Sequence, residues 1–294
     1  MSLALAACLL AVATALACAL PGVFVVLKRE SMVIDGIGHA VLPGIAVGYL
    51  FTADIDSPVL LVTAASAGLA VALGTEWLGR SGLLAGDAPL GLIFPALFAA
   101  GVILISTRMS HVHLDVHAVL VGDLNLVALT HPGYALVMAI IAILNVTFCA
   151  VALPRLTTST FDPAFAHSAG LRTRGLHVAF MALVSLTATA AFQAAGAMLV
   201  IALMVIPACA ARLLTTRVMT MLATACGIGI LGALGGFWLA YHLNAATSAG
   251  MAVTNAGLGV LAFLISRLRT TRFVSHERAE NLQHGQPVQA GIVD

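Results

Sequence analysis

The sequence predicts an all-α, polytopic membrane protein with about eight to ten spanning helices, and three observations carry that reading. Hydrophobic residues make up 61% of the 294 positions and charged residues only 9%, against about a quarter in soluble domains. The mean hydropathy is +1.07. Apolar runs close to the roughly 20 residues that cross a bilayer recur along the chain. The formal net charge of +1 gives no sign of a nucleic-acid partner. What informs is where the charges stand.

Nine runs qualify as spans, at 3–27, 33–51, 58–75, 88–107, 133–153, 176–192, 196–214, 218–241 and 248–266. The first lacks a basic leader and is too long for a signal-peptide core, so it reads as the first membrane helix. If it runs outside to inside, the cytoplasmic segments hold Lys28, Arg29, Arg80, Arg155, Arg172, Arg174, Arg212, Arg217, Arg267, Arg269, Arg272 and Arg278, and only Arg108 is left outside. That split follows the positive-inside rule, with the N-terminus outside and the C-terminus in the cytosol. Residues 1–270 read as one transmembrane domain. Residues 271–294 read as a polar cytoplasmic tail without fixed structure. The five cysteines, Cys8, Cys18, Cys149, Cys209 and Cys226, lie in apolar runs and form no Cys-x-x-Cys pair. They read as small buried hydrophobes.

The second run carries the chemistry. Asp35 and His39 stand four residues apart, which places a carboxylate and an imidazole on one face of a helix. Ionisable groups inside a membrane helix are costly and mark substrate or ion paths. Oxygen plus imidazole nitrogen suits zinc, manganese or ferrous iron. The spacing alone also fits a polar pair that ties two helices together. Pro43 lacks the N–H that would bond the His39 carbonyl, so a kink is expected beside the histidine. Gly36, Gly38, Gly44 and Gly48 leave room for a neighbouring helix.

Three other stretches stand out. The outer connection, 109–132, carries His111, His113, Asp115 and His117, which could capture metal ions at the outer face or serve as interfacial polar residues. In the inner connection, 154–175, Asp162 is an N-cap signal, Pro163 fits the first helical position and Gly170 fits a terminator. The expected short amphipathic helix, including Ala166, would lie under the membrane, either to dock a cytosolic partner or as an ordinary loop helix. Pro207 frees the Leu203 carbonyl and predicts a kink late in its span.

These residues resemble a family. Lys28-Arg29, Asp35 and His39-Ala40-Val41-Leu42-Pro43-Gly44 are similar to the segment opening the second helix of ABC-type permeases for zinc, manganese and iron. Asp115 to Leu124 is similar to a second block, with Val121 where that family usually has Phe. Asp162-Pro163-x-x-Ala166-x-x-x-Gly170 resembles the loop that contacts the ATPase. Gly196, Leu199, Val200, Leu203, Pro207, Ala208, Ala211 and Arg212 match a fourth block. Ser248-Ala249-Gly250-Met251 stands where members often place a Pro-x-Gly turn.

The resemblance implies a type II ABC importer-like permease in the bacterial inner membrane. It would act as a homodimer that imports a divalent zinc, manganese or iron ion as cargo, with no permanently bound cofactor. Asp35 and His39 would be the metal pair, and Asp162, Ala166 and Gly170 the coupling element for ATPase subunits. An extracytoplasmic solute receptor would deliver the ion. The chain has no Gly-x-x-x-x-Gly-Lys-Ser/Thr phosphate loop, so ATP hydrolysis falls to a partner and the chain is not itself an enzyme.

Rival readings are a permease for a metal chelate such as a siderophore or cobalamin, and a proton-coupled carrier using Asp35. The carrier would be expected to show inverted repeats. An intramembrane enzyme is disfavoured by the lack of His-Glu-x-x-His and Gly-x-Ser-x-Gly.

Overall fold

Eleven helices, with no strand among the described residues, form the chain in this computed structural model, which describes residues 3–54, 57–84, 86–108, 124–131, 133–171 and 173–283. In order they are α1 (Leu3–Leu27), α2 (Ser31–Thr52), α3 (Val59–Arg80), α4 (Ala88–Arg108), α5 (Leu124–Thr130) and α6 (Tyr134–Phe161). They continue with α7 (Pro163–Ser168), α8 (Thr173–Ala195), α9 (Ala197–Leu214), α10 (Val218–Leu243) and α11 (Thr247–Gln283). Nine of these, all but α5 and α7, are long and apolar enough to cross a membrane. Each corresponds to one of the nine runs read from the sequence.

α1 is apolar on every side, and a helix of that kind belongs in the middle of a bundle. It packs against α6, α8, α9 and α10 and buries Ala11, Ala15, Cys18, Val23 and Phe24 completely. Pro21 lies inside it and cannot donate to the carbonyl of Ala17. Asn145 of α6 supplies the missing donor: its Nδ2 stands 3.0 Å from the Ala17 oxygen and 3.0 Å from Thr187 Oγ1 of α8. The next residue, Gly22, meets the backbone of Met204 in α9 so closely that a Cβ would not fit. A proline repaired by a neighbour and a glycine contact thus hold three helices on α1.

α2 packs against α3, α4 and α8. Its Gly44 lies on the backbone of Ala64 in α3. α8 fills the space between α1 and α3, and its Ser185 hydroxyl donates to the Ala65 carbonyl at 2.7 Å. α4 leans on α2 and α3 and buries only Pro89, Leu90 and Gly101, leaving Leu92, Val102 and Ile103 exposed.

Three boundaries differ from the sequence reading. The inner connection does not begin at Pro154: α6 runs through that proline to Phe161. The hydroxyls of Thr157, Thr158 and Thr160 bond back to the carbonyls of Leu153, Pro154 and Leu156 at 2.7–2.9 Å, so the last turns of α6 satisfy their own hydroxyls. The outer connection contains a helix, α5, which buries Leu124 and Ala128 and packs on α1. The final helix continues past residue 270 to Gln283, through a stretch from Arg267 onward with neither Gly nor Pro to stop it.

Candidate functional site

α2 begins directly after the turn Lys28-Arg29-Glu30, so its first turns carry Asp35 and His39 close to one end of the bundle. The His39 Nε2 and Asp35 Oδ1 atoms are 3.6 Å apart, and the two side chains are 35% and 45% exposed. That separation is too long for a good hydrogen bond. Two ligand atoms each about 2.1 Å from a tetrahedral ion stand about 3.4 Å apart, so the pair is already spaced as neighbouring ligands of one ion.

The rest of α2 is committed to packing. Gly36 sits against Leu90 and Val71, and Gly38 against the ring of Phe192 in α8. Pro43 rests on Gly101 of α4, a contact that requires glycine there. It lies within an unbroken helix. The Asp35–His39 face is what these neighbours leave open.

α4 shapes that opening. The His39 imidazole lies 5.1 Å from the Phe94 ring, tilted by 30°, and 5.8 Å from the Phe98 ring, edge-on. Two aromatics one turn apart hold the imidazole in a fixed orientation and lower the dielectric around it. Neither phenylalanine was singled out in the sequence. Their i,i+4 spacing was visible, but the contact to α2 depends on how the helices cross. Among the described residues, no three His, Cys, Asp or Glu side chains converge as a metal group. The described chain therefore brings two donors to this opening.

The short helix α7 forms where the sequence placed it. The Asp162 side chain accepts from the Phe165 N–H at 2.8 Å, and Pro163 opens the helix. At its end Leu171 N–H donates to the Ala166 carbonyl at 3.1 Å and Gly170 N–H to that of His167 at 3.1 Å, with Gly170 at φ +70°. This is a Schellman stop, in which the left-handed glycine lets both carbonyls find donors. Ala166 is buried, while Phe161 and Phe165 are 61% and 60% exposed beside it. Pro207 is buried inside α9. His111, His113, Asp115 and His117 lie outside the described residues.

Among the described residues, eight long apolar helices accompany the central span α1, with a polar pair on one of them and a capped surface helix, which is the build of a multi-pass membrane protein. The fold is similar to that in the structure of PsaBC from Streptococcus pneumoniae in complex with Fab, with a TM-score of 0.76 at 23% identity over 90% of this chain and 91% of that one. Residues 1–266 match the model of the ABC 3 transport family, and the chain belongs to that family. It is 35% identical to a manganese transport system membrane protein (MntD) of Bacillus subtilis, over 85% of this chain and 87% of the relative. It is 36% identical to a zinc transport system membrane protein (TroD) of Treponema pallidum, over 88% of this chain and 72% of that protein.

Proposed function

We propose that this chain is the membrane-spanning subunit of an ATP-driven importer of a divalent transition-metal ion, zinc, manganese or iron, and that Asp35 and His39 hold the ion in transit. The 3.6 Å carboxylate–imidazole spacing on an open face of α2 carries the reading. Relatives named for manganese and zinc transport support the cargo class. Two ligands leave an ion undersupplied. A second copy of the chain, placed across the open face of α2 and α4, would bring another Asp35 and His39 and complete four ligands about a two-fold axis. The weakly buried α4 agrees with such a partner.

ATPase subunits supply the energy and dock on α7, a rigid, capped helix whose exposed Phe165 stands beside the exposed Phe161 at the end of α6. An extracytoplasmic receptor hands over the ion at the opposite side. The chain sits in the bacterial cell membrane with its N-terminus outside, an orientation that the placement of its basic residues supports. The test is uptake of manganese(II), zinc(II) and iron(II) by cells with the full complex, comparing wild type with Asp35→Ala and His39→Ala at equal protein level and ATPase docking. Both variants are expected to lose accumulation of the metal that wild type imports. Unchanged uptake in both would return the pair to a packing role.

A further inference from the structure

The end of the bundle where α7 starts holds a second polar cluster that the ion pair does not use. Lys28, Glu30, Glu76, Arg80 and His177 surround a cavity of about 460 Å³, and Pro163, the first residue of α7, borders it too. The Lys28 Nζ is 3.1 Å from His177 Nδ1. An ammonium can only donate, so Nδ1 accepts and the imidazole proton sits on Nε2. That nitrogen is 3.0 Å from Glu76 Oε2, and Glu76 Oε1 takes the Arg80 guanidinium one turn on. A directed chain of bonds thus runs from the α1–α2 turn through α8 to α3.

Two further features make this turn able to change state. Arg29 holds φ +61°, a left-handed conformation that strains a residue with a side chain. The bend turns Lys28 and Glu30 toward the same cavity. Glu30 Oε2 is buried there without a hydrogen-bond partner among the described residues. Burial pushes the Glu30 carboxyl up, and nearby Lys28 opposes that shift. Burial likewise pushes the Lys28 ammonium down. Charges so poorly solvated respond strongly to a change of partner.

We propose that Lys28, His177 and Glu76 are positioning residues that pin the start of α2 to α8 and α3, and that Lys28 exchanges His177 for Glu30 when α7 moves. The pin lies between the helix that docks the ATPase and the helix that carries Asp35. Its release lets α2 shift and carry the ion site with it. This rests on the transport reading above.

The test uses the full complex of permease, ATPase subunits and receptor in liposomes, with manganese(II), zinc(II) and iron(II) as probes. Ions moved and ATP hydrolysed are counted together, and ion binding to the permease is measured separately. In Lys28→Gln and Glu76→Gln, ions moved per ATP are expected to fall at least about fivefold, the lower end of typical couplings, with ion binding unchanged. A merely structural defect reduces active complexes, lowers both counts together and leaves the ratio alone. Arg29→Gly removes no member of the chain, cannot strain the turn, and is expected to lower the same ratio. A wild-type ratio in all three variants, or ion binding lost in proportion to uptake, overturns the proposal. Failure of the wild-type complex to move any of the three ions would instead overturn the transport reading on which it stands.

Discussion

The Pro21–Asn145 pair offers a stability experiment whose sign is set by backbone geometry. Asn145 is fully buried and donates to the Ala17 carbonyl that Pro21 leaves without a partner. Replacing Asn145 by Leu strands that carbonyl. Thr187 is not stranded, because its hydroxyl still donates to the Leu183 carbonyl at 2.8 Å. The same substitution also removes Asn145 Oδ1, itself buried without a partner among the described residues, so the single mutant mixes a loss with a gain. The double-mutant cycle separates them. In a Pro21→Ala background the residue 21 N–H bonds Ala17 within the helix, and the contribution of Asn145 to that carbonyl disappears. The cost of Asn145→Leu should then shrink by about 1 kcal/mol, since an orphaned acceptor costs roughly 1–3 kcal/mol and interhelical bonds in membranes average near 0.6. Reversible unfolding of the four proteins in bicelles measures the term directly. Additive costs, within about 0.3 kcal/mol, would refute the claim that Asn145 stands in for the missing donor.

Further predictions concern the site's supports. Gly101→Leu places a side chain where Pro43 sits, so it should destabilise the permease by about 1–3 kcal/mol and depress uptake by moving Phe94 and Phe98 off His39; thermal unfolding and transport assays on the assembled complex check both. Asp162→Ala removes the cap of α7 at about 1 kcal/mol, and if α7 must be preformed for docking the ATPase should bind about fivefold more weakly, as titration calorimetry would read. Gly170→Val forces a branched residue into a left-handed stop, and it should weaken the same association while leaving ion binding intact.

How much of this was legible in advance follows from the range of each interaction. The nine spans and the Asp35–His39 face depend on composition and on i,i+4 spacing, which a single chain displays. So does α7, whose Asp162 cap and Gly170 stop act within a few residues. Pro154 misled the reading because membrane helices tolerate an interior proline that would end a soluble helix, which local propensity ignores. The helix α5 is seven residues long and lies next to a polar, histidine-bearing stretch, too short for a periodic signal. Phe94 and Phe98 acquire meaning only when α4 crosses α2 at Gly101. Lys28 and His177 stand 149 positions apart, and nothing local links them. Tertiary partners of lone charges at helix ends are what a sequence conceals.

The central claim is that Asp35 and His39 form half of an ion site completed by a second copy of the chain. Equilibrium dialysis of the purified permease against zinc(II) and manganese(II) tests it most directly, on wild type and on the Asp35→Ala/His39→Ala double variant. One ion for every two chains in wild type and none in the variant is the predicted result. Equal binding by both proteins would contradict it.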